Sequence, residues 1–266
     1  MDEITLEGTE NNDVIISSGA GVAWDKLVES TVSKGLGGLE NLSFIPGLVG
    51  AAPVQNIGAY GAEVKDTIER IRAICIEDGS VREFSRNECR FGYRDSIFKG
   101  DLKGKYLITK VFFRLSSLPK LSLEYGSLKE DAARKGSTSL ASVRKTVIET
   151  RKSKLPDPSL IGNAGSFFKN PVVEVEFSEK LKNKYPQMPV FRDASGKSKL
   201  AAGWLIEQCG WKGKRIGDAG VHEKQALVIV NYGNATGKEL FDLSEQVRTS
   251  VNDKFGILLE REVEVI

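Results

Sequence analysis

The sequence predicts an α+β fold in two lobes, with a boundary near residue 155. Strand-like and helical stretches are mixed without the regular strand–helix–strand alternation of a parallel sheet. A basic helix must end before Pro156, and from residue 157 onward helical stretches surround one buried strand. The chain has 266 residues, of which 40% are hydrophobic and 28% are charged, and it is therefore long enough to bury a sizeable core.

The first lobe is predicted to begin with two strands, EITLEG and DVIISSG, followed by the amphipathic helix VAWDKLVESTVSKG. Two more strands are predicted in IERIRAICIEDGSVREF, where Asp78-Gly79 is typical of a hairpin turn. Another strand, KYLITKVFFRL, comes before the basic helix, which extends from about Ser139 to Lys154. These elements predict a sheet-rich first lobe.

The second lobe is predicted to contain the helix KLAAGWLIEQCG, the buried strand QALVIVN and the long helix ATGKELFDLSEQVRTSVNDKFG. The last run, ILLEREVEVI, alternates apolar and charged residues as a half-buried strand does. In such a strand Glu260, Glu262 and Glu264 would share one face, which is usually solvated.

Composition excludes several classes of function. The net charge is only +2, which argues against nucleic-acid binding, and no apolar run is long enough to cross a membrane. The three cysteines lie far apart, and His222 is the only histidine, a residue more often structural than catalytic. With an acidic, polar start, these features predict a cytosolic protein that binds neither nucleic acid, membrane nor metal.

Two segments could carry a binding site. In IPGLVGAAPVQNIGAYGAE, residues 45 to 63, small residues allow the backbone to approach a flat or charged ligand, or form a tight structural crossing. Gln55, Asn56 and Tyr60 favour the ligand. In CRFGYRDSIFKG, Arg94 could bind a carboxylate or form a surface ion pair.

Two further segments contain candidate polar groups. Most cations of RKTVIETRKSKLPDP are expected to be structural or solvated, but Lys154, in the loop before Pro156, is better placed to reach a phosphate. In NAGSFFKNP, Ser166 lacks the G-x-S-x-G frame of a nucleophile elbow, so its role stays open at this point.

Long motifs follow one another over nearly the whole chain. They are GLENLSFIPGLVGAAPVQNIGAYGAE, CRFGYRDSIFK, LEYGSL, KLPDP, GNAGSFFKNPVV, KLAAGWLIEQCGWKG and LEREV. Taken in this order, they resemble the UDP-N-acetylenolpyruvoylglucosamine reductase family. LEYGSL is similar to the tyrosine-bearing substrate loop of the first of the family's two types.

The resemblance implies the remainder of a PCMH-type (type 2) FAD-binding domain and a smaller C-terminal α+β substrate-binding domain. The implied division is 1–154 for the FAD-binding domain, 155–255 for the substrate-binding domain and 256–266 for a strand returning to the FAD-binding domain.

The implied reaction has two halves. NADPH reduces FAD, and hydride then passes from flavin N5 to the enolpyruvyl group of UDP-N-acetylglucosamine enolpyruvate, giving UDP-N-acetylmuramate for peptidoglycan. The resemblance makes Ser166 the proton donor to carbon and places Arg94 and Glu262 beside the substrate carboxylate, whose developing charge requires such partners. It also implies flavin contacts at Pro46, Gly47, Ala51, Ala52, Val54, Ile57, Gly58 and Ile108.

Further positions are implied for the substrate. Tyr93 is expected in the active site, and Phe191 stands where the family often has a tyrosine, so a hydroxyl contact is lost. The positions that resemble contacts of the uridine diphosphate part are Tyr125, Lys154, Asn170, Lys212 and Gln225.

The resemblance departs at the front, where family members have a further lobe with a glycine-rich loop around the FAD pyrophosphate. We therefore expect weak flavin binding, tighter binding of UDP-sugar, and a final strand without its normal sheet partner, which in the family lies in the first lobe. Two hypotheses stay open: a reductase, truncated or completed by a separately encoded N-terminal lobe, and an inactive remnant that binds UDP-sugar. A serine hydrolase is a distant third because it lacks a base.

Overall fold

The computed structural model describes residues 3–125, 128–134, 138–192 and 195–265. It divides the chain into two compact units, Met1–Arg151 and Lys152–Ile266. Both units contain strands and helices, which confirms the predicted α+β class. Gly126 and Ser127 of the LEYGSL motif lie outside the described residues. Among the described residues, no helix is long and apolar enough to cross a membrane.

The first unit is built on a five-stranded antiparallel sheet. Its strands and helices are β1 (Ile4–Glu10), β2 (Asp13–Gly19), α1 (Trp24–Ser33), β3 (Gly58–Ala59), β4 (Ala62–Glu63), β5 (Ile68–Cys75), β6 (Val81–Ser85), β7 (Tyr106–Ser116), α2 (Leu128–Arg134) and α3 (Leu140–Lys154). The strand order is β1-β2-β7-β5-β6, and β3 and β4 form a separate small pair. The predicted hairpin is confirmed, because β5 pairs with β6 and Gly79 has the positive φ that its turn requires.

The first core lies on one face of this sheet. Phe113 of β7 is fully buried and meets the ring of Trp24 edge-on, with centroids 6.1 Å apart. The Trp24 indole donates to the Leu42 carbonyl over 2.8 Å, so its polar atom is satisfied inside the core. On the opposite face, Phe112 is covered by the Arg70 guanidinium, 3.7 Å from the ring centroid. Strand alternation thus supplies a buried side chain on each face of β7.

The second unit combines two small sheets with helices. Its elements are β8 (Gly162–Ser166), β9 (Val172–Val173), α4 (Val175–Lys184), β10 (Val190–Arg192), β11 (Ser198–Leu200), α5 (Ala202–Gln208), β12 (Arg215–Ile216), β13 (Ala219–Val221), β14 (Val228–Asn231) and α6 (Gly237–Phe255). One sheet has the order β12-β13-β14-β8 and the other has the order β10-β11-β9. The helices and the strand predicted for this lobe are confirmed within their predicted segments.

Both ends of α6 follow from local chemistry. Thr236 and Glu239 form a capping box at its start, and Gly256 ends it with a left-handed backbone. Leu243, Val247 and Phe255 share its buried face and pack in the second core. Each such side chain contributes about 1.5–3 kcal/mol through burial. The position of α6 in the second unit is therefore fixed by its apolar face.

The strand predicted over the last ten residues is wrong in the described part, residues 257–265. Ile257 and Leu259 are buried while Leu258 is exposed, so burial alternates at the start of the segment. Pairing is limited to an isolated bridge between Phe168 and Arg261, which is too short for a regular strand. The segment contacts residues 167–169 of the second unit through two backbone hydrogen bonds on either side of this bridge.

An ion pair joins α1 to α3. The Arg144 guanidinium donates to both carboxylate oxygens of Asp25, over 2.6 and 2.8 Å, and its side chain is only 12% exposed. The Phe44 N–H also donates to Asp25, over 2.6 Å. Burial alone would raise the pKa of Asp25, but the hydrogen bonds and the charge of Arg144 outweigh it and hold that pKa below its usual value. Arg144 is therefore a structural cation.

Replacing Asp25 by Asn is expected to lower the free energy of unfolding at neutral pH by about 1–3 kcal/mol, because charge-assisted hydrogen bonds to a buried guanidinium are lost. A depressed carboxyl pKa stabilises the fold above the unfolded value, about 3.9, and this contribution disappears as the pH falls through the folded value. Urea unfolding should therefore show the difference between variant and parent shrinking in acid. Asp101→Asn removes an exposed pair with Arg90 and should cost little at any pH.

Candidate active site

The small-residue segment, residues 45–63, is hydrogen-bonded to the residues at the start of α1 and just before it. Gly47 accepts a hydrogen bond from the Trp24 N–H over 2.9 Å, and the Gly50 N–H donates to the Ala20 carbonyl over 3.0 Å. A Cβ at Gly50 would lie 2.6 Å from the Cβ of Ala20, closer than two carbons can approach. The interpretation as a tight structural crossing is confirmed for this end of the segment.

The outer surface at the start of the segment is apolar and open. Phe44 is 40% exposed and Leu48 is 50% exposed. Gly47 has a φ of 112°, and a Cβ there would meet nothing within 4 Å. Backbone and apolar side chains are thus accessible together, as a flat ligand requires.

The predicted flavin contacts differ in exposure. Ala52 and Ile108 belong to the core, with 2% and 7% of their surfaces exposed. The other positions lie nearer the surface: Pro46, Gly47 and Ala51 are exposed, whereas Val54, Ile57 and Gly58 are half-buried. The exposed ones surround the open surface at Leu48.

Asn56 has a structural role, so the interpretation of its side chain as a ligand contact is wrong. It is fully buried, and its amide donates to the Glu63 carboxylate over 3.0 Å and to the Gly92 carbonyl over 2.8 Å. Its oxygen accepts from the Lys65 N–H over 3.0 Å. These bonds join the middle of the segment to its own end at β4, to Lys65 and to the loop before Arg94. Gln55 is half-buried beside it.

Arg94 lies against the carbonyls of the same segment. Its guanidinium donates to the Gly58 carbonyl over 2.6 Å and to the Asn56 carbonyl over 3.3 Å. Its Cζ is 5.4 Å from the centroid of the Tyr93 ring. A turn closed between Gly92 and Asp95 gives Arg94 a φ of 53°. The structure therefore brings Arg94 together with Tyr93 and the predicted flavin contact Gly58.

Two contacts between charged side chains and the backbone of Phe44 are absent from the sequence-based predictions. The Arg151 guanidinium donates to the Phe44 carbonyl over 3.0 Å, while Asp25 binds the Phe44 N–H. Burial lowers the pKa of Arg151, although an arginine still keeps its charge. The spacing of seven residues between Arg144 and Arg151 places both on one helical face, and this pattern was the available signal.

Tyr60 and Tyr125 form an aromatic pair near the segment. Their ring centroids are 5.8 Å apart in an edge-on arrangement, and Tyr125 is 47% exposed. Burial raises the pKa of the Tyr60 hydroxyl, although the charge of Arg151 opposes this effect. The pair places the predicted substrate contact Tyr125 beside the end of the small-residue segment.

In the second unit, the structure brings Ser166 and Glu262 onto neighbouring backbone positions. Ser166 is half-buried at the end of β8, and the next residue, Phe167, accepts a hydrogen bond from the Glu262 N–H over 2.9 Å. Phe167 and Phe168 are 8% and 1% exposed. Gly165 has a φ of 74°, which a side chain would disfavour. The site thus combines a hydroxyl, a carboxylate and two phenyl rings within a short stretch.

The three predicted glutamates of the final segment differ in environment. Glu260 pairs with Lys169, and its side chain is 70% exposed, whereas Glu262 is half-buried and Glu264 is exposed. The expectation of one shared, solvated face is therefore wrong, because the regular strand on which it depended does not form.

The remaining predicted substrate contacts differ in their hydrogen-bond partners and in their exposure. The Asn170 side chain accepts the Ala202 N–H at the start of α5 over 2.9 Å. Lys212 pairs with Glu207 over 2.9 Å, and Gln225 accepts a long bond of 3.4 Å from the Leu227 N–H. Phe191 of β10 is 42% exposed. Lys154 is exposed, but the expectation that it lies in a loop is wrong, because α3 extends through it.

Gly58→Ala is expected to destabilise the protein by about 1–3 kcal/mol, the usual cost of forcing atoms into packed space. Its new Cβ would lie 2.9 Å from the Ala62 carbonyl and 3.0 Å from the Arg94 guanidinium. Gly8→Ala is the matched control, because a Cβ there meets nothing within 4 Å. Urea unfolding of both variants provides the measurement, and equal effects would show that Arg94 is not held as described.

Comparison with known proteins places these features in one family. Residues 157–266 match the family described as UDP-N-acetylenolpyruvoylglucosamine reductase, C-terminal domain, and residues 5–85 match the family described as FAD binding domain. These matches confirm the predicted combination of an FAD-binding domain with a C-terminal reductase domain.

Individual proteins resemble the chain over most of its length. The UDP-N-acetylenolpyruvoylglucosamine reductase of Amoebophilus asiaticus is 48% identical over 97% of this chain and 77% of its own length. That of Alcanivorax borkumensis is 49% identical over 98% of this chain and 76% of its own length. The crystal structure of the reductase from Thermus caldophilus superposes with a TM-score of 0.65 at 28% identity, covering 94% of this chain and 71% of that one. On this evidence, the chain belongs to the UDP-N-acetylenolpyruvoylglucosamine reductase family.

Proposed function

We propose that this chain reduces UDP-N-acetylglucosamine enolpyruvate to UDP-N-acetylmuramate for peptidoglycan synthesis, with FAD as cofactor and NADPH as reductant. The enzyme names of its relatives support this activity. The observation that carries the proposal is the hydrogen bond of 2.9 Å that joins Glu262 to the residue after Ser166. It brings the backbones of Ser166 and Glu262 to neighbouring positions, although the two residues are far apart in the sequence.

The residues of the first unit fit the flavin. The exposed backbone around Gly47 and the apolar surface of Phe44 and Leu48 suit a flat ring system, and the start of this segment is held by Asp25 and Arg151. Once bound, FAD supplies the hydride that it receives from NADPH. The chain's own part is to hold the ring system and to exclude water from the reacting atoms.

Ser166 is proposed to donate the proton. Hydride adds to the terminal carbon of the enolpyruvyl group, so electron density accumulates on the adjacent carbon and its carboxylate. A serine hydroxyl is a weak acid, but this carbon is a strong base that needs only a donor held close by. The buried rings of Phe167 and Phe168 support the exclusion of water.

Arg94 and Glu262 are proposed to accompany the substrate carboxylate. The Arg94 guanidinium is already oriented by the Gly58 carbonyl, and a fixed cation stabilises developing negative charge without having to reorganise. Glu262 is proposed as the carboxylate next to the serine. Tyr93, in contact with Arg94, is proposed as the neighbouring aromatic group.

The uridine diphosphate part is proposed to contact polar residues whose side chains are partly engaged within the protein. A pyrophosphate loses hydration water when it binds, and lysine ammonium groups compensate its negative charges. Lys212 would exchange Glu207 for the phosphate, and Phe191 offers a ring without a hydroxyl. The proposed set is Tyr125, Lys154, Asn170, Lys212 and Gln225.

Two further statements belong to this proposal. The first is the division into domains 1–154, 155–255 and 256–266. The second is a cytosolic location, supported by a nucleotide-linked substrate and NADPH. Turnover of the substrate with FAD and NADPH would support the reductase, whereas UDP-sugar binding without flavin absorbance would favour an inactive protein that binds UDP-sugar.

Ser166→Ala is expected to leave the reduction of bound flavin by NADPH within about twofold of the parent. The same change should slow substrate-dependent reoxidation by about 10²–10⁴-fold, the usual contribution of a positioned proton donor. Stopped-flow absorbance of the flavin measures each half-reaction separately.

The control is Ser250→Ala, which removes a hydroxyl from the exposed surface of α6 and should change neither half-reaction. Equal losses in both half-reactions of Ser166→Ala would contradict the proton-donor role.

A further inference from the structure

We propose that Glu245 of α6 is a positioning residue that keeps Glu262 in register with Ser166, acting through Arg261. The inference rests on the proposed function, because it gives the Glu262–Ser166 pairing a catalytic purpose. Glu245 itself touches neither Ser166 nor Glu262 in the contacts described.

The final segment needs an anchor beyond its backbone pairing. It meets residues 167–169 through the Lys169 N–H to Glu260 carbonyl bond and the Glu262 N–H to Phe167 carbonyl bond, each 2.9 Å long. These surround an isolated bridge and do not continue into a ladder. A segment held by so few backbone bonds opens readily. Side chains must therefore add to the hold on Glu262.

Helix α6 supplies those side chains. The Arg248 guanidinium donates to the Leu259 carbonyl over 2.8 Å and to the Glu245 carboxylate over 2.6 Å. Arg261 donates to the same oxygen of Glu245 and, over 3.1 Å, to the Ser244 hydroxyl. Glu245 thus joins the helix to the final segment at two points.

Charge holds both arginines of this cluster, Arg248 and Arg261, and a ring contact holds Arg261 as well. Arg261 also lies over the Phe241 ring, 4.3 Å from its centroid, so the guanidinium is bound on its flat face as well as at its edge. Arg248 and Arg261 are only 20% and 18% exposed, and both rely on the one carboxylate of Glu245. Without that charge, two guanidinium groups would face each other with little water between them.

The connection to Glu262 is direct. Arg261 precedes Glu262, so the peptide unit between them carries the N–H that donates to Phe167. When the Arg261 side chain is held on α6, this peptide is held as well. A shift of about 1 Å in a reacting group can cost roughly a hundredfold in rate, which is enough for such an anchor to matter.

The test compares Glu245→Gln, which keeps size and removes charge, with Asp242→Asn on the same helix. Asp242 pairs with Lys238 on the exposed side, so its replacement should leave both half-reactions unchanged. For Glu245→Gln, we expect flavin reduction by NADPH within about twofold of the parent and substrate-dependent reoxidation slowed by roughly ten- to a hundredfold. The effect should be much smaller in an Arg261→Gln background, because coupled residues are not additive.

A second measurement does not depend on turnover. Amide hydrogen exchange of residues 257–265 should become faster in Glu245→Gln, while that of α4 stays unchanged. Unchanged exchange of the final segment, or equal losses in both half-reactions, would overturn the positioning role. A parent protein that reduces flavin but shows no reoxidation by substrate would instead overturn the proposed function, so the two failures are distinguishable.

Discussion

The placement of Glu262 beside the strand that carries Ser166 depends on one backbone hydrogen bond, from the Glu262 N–H to the Phe167 carbonyl. Ser166 and Glu262 are separated by almost the entire second unit in sequence. The bond forms because β8 ends beside an extended segment whose apolar residues, Ile257 and Leu259, are buried in the second core. Hydrophobic burial therefore brings the segment close, and the hydrogen bond selects the register. The position of the polar residue Glu262 therefore depends on the burial of its apolar neighbours in sequence.

In the first unit, side chains hold the irregular, glycine-rich backbone of the small-residue segment in one conformation. Asn56 joins two loops, and Arg94 binds backbone carbonyls. Asp25 binds the N–H of Phe44, and Arg151 binds its carbonyl. A segment without regular secondary structure leaves its N–H and carbonyl groups unpaired, and buried unpaired groups are costly. In this segment, charged and amide side chains provide the hydrogen bonds that neighbouring strands would provide in a sheet.

Much of the fold was predictable from periodicity, because a long amphipathic helix such as α6 or a hairpin such as β5–β6 is specified by local sequence. The errors have physical causes. Asn56 looked like a ligand contact because an amide bonds to backbone and to ligand with the same groups. The final strand failed because strand formation depends on the length of the partner, which local alternation does not encode. Arg151 is structural, as expected for most cations of this helix end, but its partner, the Phe44 carbonyl, is brought close only by tertiary packing. The proximity of Ser166 and Glu262 is tertiary, and only the family resemblance suggested it.

Several bulky residues around the small-residue segment have left-handed backbones: Phe44, Asn56, Tyr60 and Arg94 all have φ between 47° and 59°. Each such residue is less stable than in a right-handed conformation by about 1–2 kcal/mol. That energy is stored in the resting protein and is balanced by the side-chain contacts around it. A ligand arriving at this surface therefore meets a backbone whose conformation is already fixed by contacts within the protein.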